Sequence, residues 1–145
     1  MKVSYSVESE LSSDEFIDVL HRSTLAERRP VNSPATIAKM LKHASLIVTA
    51  RVDDGAGSTK GRLVGVSRAI TDFAYCTYLS DLAVDVAYQR KGIGRELIRH
   101  THQAAGRETL LLLLASPQAE TYYEHIGLEK HNSCWTIPSS GETDR

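Results

Sequence analysis

The residues best placed to do chemistry lie together in Gln89-Arg-Lys-Gly-Ile-Gly-Arg95. An apolar, strand-like stretch, Leu82-Ala-Val-Asp-Val86, leads into them, and an amphipathic helix pattern follows. A strand, a glycine-rich turn and a helix start together make an anion site. The first N–H groups of a helix lack intrahelical acceptors. The macrodipole puts partial positive charge at the same end, and glycine lets a phosphate approach the backbone. Arg90, Lys91 and Arg95 add full charges. The chemistry implied is the holding of a phosphate or pyrophosphate. For two glycines alone the plain alternative is a tight turn before a basic helix; the three cations and the strand-to-helix context favour a ligand site.

The glycines exclude some phosphate binders. No Gly-Lys-Ser/Thr follows, so this is not a Walker loop. Leu97 stands where a Rossmann fingerprint has its third glycine, and the 51 residues after Gly94 are too few for a second nucleotide-binding half. His100 and His102 are two apart on the helix and face away from each other, so they make no metal pair. His125 and His131 have no ligand spacing either, and no metal is expected. Cys76 and Cys134 form neither a metal motif nor a disulfide framework, and they read as buried small apolar residues.

The elements that must position this turn follow from periodicity. Val3, Tyr5 and Val7 alternate with polar residues, which predicts a strand. Ser12-Ser-Asp-Glu15 reads as a capping box before a helix face of Phe16, Ile17, Val19 and Leu20. Residues 25–32 are a polar connector. Ser33-Pro34 starts a second helix with a stripe of Ile37, Met40, Leu41 and Ala44. Residues 46–52 and 63–70 read as strands around a glycine-rich hairpin loop, 53–61, taken as a mobile turn.

Residues 75–86 form a long strand in which Leu82, Val84 and Val86 share a phase that Leu79 breaks. A β-bulge near Ser80–Ala83 accounts for the slip, and so does a plain strand with apolar residues on both faces. A third helix spans 92–106. The run Leu110-Leu-Leu-Leu-Leu114 reads as a strand covered on both faces, which makes strand, helix and strand a right-handed βαβ unit. A short fourth helix covers 118–126, with Gly127 as its C-terminal residue. Residues 128–137, including Trp135, supply one or two last strands, and 139–145 form a frayed polar tail.

Composition sets the outer bounds. A chain of 145 residues with 41% hydrophobic and 24% charged residues suits one domain with a real core, here 1–138. A net charge of −1 gives no sign of a nucleic-acid binder. The longest apolar run is too short for a bilayer. The first residues do not read as a secretory signal, so a cytoplasmic protein is expected, with no membrane partner.

Two segments carry a resemblance. Gln89, Gly92 and Gly94 match the Gln/Arg-x-x-Gly-x-Gly/Ala signature of the GNAT superfamily of acyl-CoA-dependent N-acetyltransferases, and Ala119-Glu-Thr-Tyr-Tyr-Glu-His-Ile-Gly-Leu128 is similar to its fourth-helix segment. The resemblance covers about 46–137. It implies an α/β (α+β) fold: a mixed, mostly antiparallel sheet of six to seven strands with about four helices, a central βαβ acyl-CoA-binding unit, a bulged fourth strand and a splayed fourth/fifth strand pair.

The same resemblance implies acetyl-CoA as cosubstrate. Gln89, Arg90, Lys91, Gly92, Ile93, Gly94 and Arg95 would take its pyrophosphate. Leu82, Ala83 and Val84 would pair with the pantetheine arm and offer a backbone N–H to the thioester oxygen, a kind of donor worth about 3 kcal/mol. Ser116 could hydrogen-bond the pantetheine. Tyr123 aligns with the family's acid tyrosine; a phenol near pKa ~10 and a thiol near ~8.5 are roughly matched for proton transfer. The competing role for Tyr123 is a rim aromatic. Asp81 is the first candidate base, directly or through water, and Asp72 the second; either could instead be a solvated or capping carboxylate.

The function expected is direct acetyl transfer, without an acyl-enzyme, to a primary amine of a small molecule or protein. A non-catalytic acyl-CoA-binding regulatory module is the alternative, and a homodimer is left open. The acceptor side would be 25–32 and 72–78. Asp72, Tyr75, Tyr78 and Asp81 suit a cationic amine; Arg28 and Arg29 suit one carrying a carboxylate or phosphate.

Overall fold

Strand β2, Leu46–Val52, is buried at all seven positions, so the sheet around it is covered on both faces. The computed structural model describes residues 1–55, 57 and 59–140. The remaining elements are β1 (Val3–Val7), α1 (Ser13–Ser23), α2 (Pro34–Lys42), β3 (Arg62–Thr71), β4 (Cys76–Val84), α3 (Ile93–Ala105), β5 (Leu110–Leu112) and α4 (Glu120–His125). Turns of 3-10 helix lie at Leu25–Arg28, Val86–Tyr88 and Pro117–Ala119. The five strands run in the order β1-β2-β3-β4-β5. The first three pairings are antiparallel, and β4 pairs with β5 in parallel. β4, α3 and β5 thus form the expected βαβ unit.

Helices cover the two faces separately. α1 and α2 bring Phe16, Val19, Leu20, Ile37 and Leu41 against Ile47, Leu63 and Val66. α3 brings Ile93 and Leu97 against Val48, Ala50, Val52 and Val64. Each fully buried side chain of this size stabilises by about 1.5–3 kcal/mol. Gly65 on β3 lets α3 sit close: a Cβ there would lie 3.0 Å from Leu97 Cδ1 and 3.2 Å from Ile93 Cγ2. The α1 cap is half of the expected box. Ser12 Oγ accepts from the Glu15 N–H at 3.2 Å, but the Glu15 carboxylate turns to the buried Arg51, at 2.8 and 3.0 Å.

The expected slip in β4 is a bulge. Arg68 faces Asp81 and Ala69 faces Leu79, which leaves Ser80 as the extra residue. β4 then pairs with β5 only through Cys76, Thr77 and Tyr78. From Leu79 to Val84 that edge has no strand partner among the described residues, so the pair is splayed.

Several expectations need correction. The sheet has five strands among the described residues, not six to seven. Residues 128–137 form no strand, and Trp135 and Ile137 are 92% and 97% exposed. The polar run Glu129-Lys-His-Asn-Ser133 offers no apolar alternation to bury. Among the described residues no strand lies beyond β5, so it is an edge strand, and one of its faces is open rather than covered: Leu110 and Leu112 are exposed. Cys76 and Cys134 are exposed too. Positions 56 and 58 of the β2–β3 loop, and 141–145 of the tail, lie outside the described residues. Among the described residues no helix is long and apolar enough to cross a membrane.

Candidate active site

The glycine-rich turn is anchored before it begins. Asp85 caps the 3-10 turn after β4, with Oδ1 accepting from the Ala87 N–H at 2.9 Å. Arg22 of α1 donates to Asp85 Oδ2 at 2.5 Å and to the Leu63 carbonyl at 2.8 Å. Burial raises the Asp85 pKa, but the Ala87 N–H and Arg22 outweigh it and hold the carboxyl below its ordinary range. Gln89 folds back, its Nε2 donating to the Val84 carbonyl at 3.0 Å. Arg90 then takes φ 64° and Gly92 φ 81°, the left-handed region where glycine is the least strained residue. Gly92 is the N-cap of α3.

Arg90, Lys91, Gly92 and Arg95 are exposed, whereas Ile93 and Gly94 are buried. The Ile93 side chain serves the core, leaving only its backbone to a ligand. A Cβ on Gly92 would meet nothing within 4 Å, while one on Gly94 would lie 2.5 Å from the Tyr122 hydroxyl oxygen. Gly92 is therefore needed for its conformation and Gly94 for its lack of a side chain. Tyr122 lies over the first turn of α3 at Gly94. Burial raises its pKa, and the Arg95 backbone N–H and guanidinium oppose the rise.

Asp81 is fully buried at the bulge. Arg29 Nε donates to its Oδ1 at 2.5 Å, and Arg68 Nε donates to its Oδ2. Both guanidiniums also hold the extra residue: Arg29 Nη2 donates to the Ser80 carbonyl at 2.7 Å, and Arg68 Nη2 to Ser80 Oγ at 3.1 Å. Arg29 thereby ties the 25–32 connector to β4. Asp72 spends its Oδ1 on the N–H groups of Tyr75, Ala74 and Cys76, at 2.7, 2.9 and 3.1 Å. Those bonds hold its pKa down at about 2.

Tyr123 lies half-buried on α4, edge-to-face with Tyr122 at a centroid distance of 5.2 Å. Burial, with Tyr122 beside it, pushes its phenol up to about 12, and the Arg29 guanidinium pulls against that rise. Ser116, half-buried, is the N-cap of the 3-10 turn before α4. Two groupings thus emerge: Gly94 and Arg95 with Tyr122, which in turn stacks edge-on with Tyr123, and Arg29 and Arg68 with Asp81 and Ser80. The arginine–aspartate–arginine cluster was not anticipated, although a one-residue bulge in the β3–β4 hairpin would have placed Arg68 opposite Asp81. Among the described residues, no group of three or more His, Cys, Asp or Glu side chains could hold a metal.

The site is thus built on a mixed sheet whose bulged, splayed fourth strand leads through a 3-10 turn to the glycine-rich turn. Residues 43–130 match the model of the Acetyltransferase (GNAT) domain, and the chain belongs to the GNAT acetyltransferase family. It is 28% identical over 97 residues to GCN5-related N-acetyltransferase 2, chloroplastic, of Arabidopsis thaliana, covering 66% of this chain and 38% of that protein. It is also 28% identical over 126 residues to Histone acetyltransferase TAP1 of Glycine max, covering 81% of this chain and 54% of that one. The chain spans about half, or less, of the length of these relatives. A GNAT family acetyltransferase of Streptococcus pneumoniae has a similar fold, with TM-score 0.74 at 17% identity, over 97% of this chain and 99% of that one. A GNAT-family protein of Xanthomonas campestris gives 0.71 at 21%, over 100% and 99%.

Proposed function

We propose that the protein transfers an acetyl group from acetyl-CoA directly to a primary amine. The open β4 edge running straight into the Gln89–Gly94 turn is the observation that carries this reading. The residues present fit the cosubstrate: the Cα of Gly92 faces open space at the head of α3, and Arg90, Lys91 and Arg95 stand exposed around it. Acetyl-CoA, when bound, supplies the activated acyl group. Arg90, Lys91, Arg95 and the backbone of Gly92–Gly94 hold the pyrophosphate, and the β4 edge at Leu82, Ala83 and Val84 takes the pantetheine amides as a neighbouring strand would, with the Val84 carbonyl already engaged by Gln89. Ser116, at the N-cap of the 3-10 turn before α4, adds a hydroxyl.

In the transfer a C–N bond forms to the amine and the C–S bond breaks. Tyr123 holds its proton at Oη and presents it to the leaving sulfur. At a pKa of about 12 full transfer to a thiolate of ordinary pKa, about 8.5, is uphill by roughly three units, so Tyr123 acts chiefly as a hydrogen-bond donor. Asp81 is a poor base, because both its oxygens are engaged by guanidiniums and it has no exposure. Asp72, at about 2, is too weak a base at neutral pH. We assign removal of the amine proton to water. The test is coenzyme A release with a panel of amines, comparing the parent with Tyr123→Phe. Turnover above hydrolysis that falls in the variant supports transfer; acetyl-CoA binding with no amine-dependent release would indicate a binding module.

A further inference from the structure

The cluster at the bulge carries an unbalanced charge. Arg29 and Arg68 share a single carboxylate, Asp81, so the group sums to +1, since guanidinium stays protonated throughout the accessible pH range. Burying an uncompensated charge is costly, and the cluster is graded accordingly. Side-chain exposure is 0% at Asp81, 9% at Arg68 and 21% at Arg29. The surplus therefore reaches solvent at Arg29, whose charge is felt by the Tyr123 phenol.

Three of the five Arg29 N–H donors are engaged, by Asp81, Ser80 and the Arg28 carbonyl. One on each terminal nitrogen has no acceptor among the described residues. Arg28, next to it and half-buried, makes no ion pair among the described residues. The carboxylates that suggested a cationic acceptor are both spent: Asp81 inside the cluster, Asp72 on its own hairpin turn. Glu27, on the same turn as Arg28, is exposed.

We propose that the acceptor is a primary amine that also carries a carboxylate, and that Arg29 binds that carboxylate. This rests on the acetyltransfer reading above. Two donors on one guanidinium match the two oxygens of a carboxylate, and its single negative charge completes a neutral quartet with Arg29, Asp81 and Arg68. A phosphate, at about −1.5 to −2 near neutrality, would overshoot the cluster. Arg29 is then a specificity-determining residue that also fixes the connector to the bulge.

The test compares matched amines: L-phenylalanine with phenethylamine, and L-lysine with cadaverine. For the wild type, kcat/KM is expected to favour the carboxylate member by about ten-fold or more, the scale of a charge-assisted pair. In Arg29→Gln that ratio should fall toward one, and Arg29→Lys should retain part of it, because a single ammonium does not reproduce the fork. Because each ratio is internal to one variant, a general loss of activity does not disturb it. Calorimetric titration of L-phenylalanine and phenethylamine into the coenzyme A-bound protein reads the same preference without turnover. A wild-type ratio at or below one, or one unchanged in Arg29→Gln, overturns the proposal. Arg29-dependent binding of L-phenylalanine with no turnover of any amine sustains it and overturns the acetyltransfer reading instead.

Discussion

The Tyr122 hydroxyl occupies the space that a side chain on Gly94 would need, 2.5 Å from where its Cβ would stand. In an ordinary first helical turn, Gly→Ala stabilises by up to about 1 kcal/mol. Here Gly94→Ala is expected to be neutral or destabilising, because the phenol must move. Removing the hydroxyl changes this, since the next atom, Tyr122 Cζ, lies 3.4 Å away, an ordinary contact. Thermal unfolding of both single variants and the double variant is expected to show Gly94→Ala stabilising only in the Tyr122→Phe background.

Asp81 separates a structural role from a chemical one. Breaking a buried ion cluster by removing its only anion leaves two guanidiniums facing each other, at a cost of about 3–5 kcal/mol. Asp81→Asn should therefore lower the urea midpoint sharply. A base acting in chemistry alone would leave that midpoint unchanged while turnover collapsed, the outcome that would refute the structural assignment.

Tyr123→Phe removes a hydrogen-bond donor to developing charge and is expected to reduce kcat by about 10²–10³-fold with little change in acetyl-CoA affinity. Its pH behaviour has a definite sign. The folded-state pKa, about 12, lies above the unfolded phenol value of about 10. The neutral phenol thus contributes stability that is full below about pH 10 and lost as pH rises through about 12. Urea midpoints measured across that window should fall more steeply for the wild type than for Tyr123→Phe.

The β3–β4 turn has the opposite dependence. Asp72 is held at about 2 by three backbone N–H groups, below the unfolded value of about 3.9. What it contributes is present above the unfolded value and lost as pH falls through about 2. Hydrogen exchange at Ala74, Tyr75 and Cys76 should accelerate relative to the core amides as the solution is acidified over that range. Exchange that stays flat would mean the carboxylate does not hold the turn.

Local patterning made much of this legible in the sequence. The Ser12 cap, the stripes of α1 and α2, and the α3 core residues Ile93 and Leu97 follow a 3.6-residue period. The phase slip at Leu79 marked the bulge within one or two residues. What failed depended on neighbours. Five successive leucines look the same whether a sixth strand covers them or not, so the exposure of Leu110 and Leu112 could not be read from the run itself. The donor turn was visible because its parts are adjacent in the chain. The Arg29–Asp81–Arg68 cluster joins three elements, and only the hairpin register and the path of the connector bring it together. Tyr122 was hidden for the same reason: nothing in its own segment says that its hydroxyl reaches α3.

The Arg29 tether has a consequence for anyone reshaping this protein. The 25–32 connector is not an interchangeable module clipped onto the sheet, because the sheet's own distortion at Ser80 and Asp81 is held by a guanidinium borrowed from that connector. A transplanted loop lacking a cation at position 29 would arrive with Asp81 Oδ1 unpartnered and the Ser80 carbonyl unclaimed. Retargeting would therefore have to treat positions 29, 68 and 81 as one inherited unit.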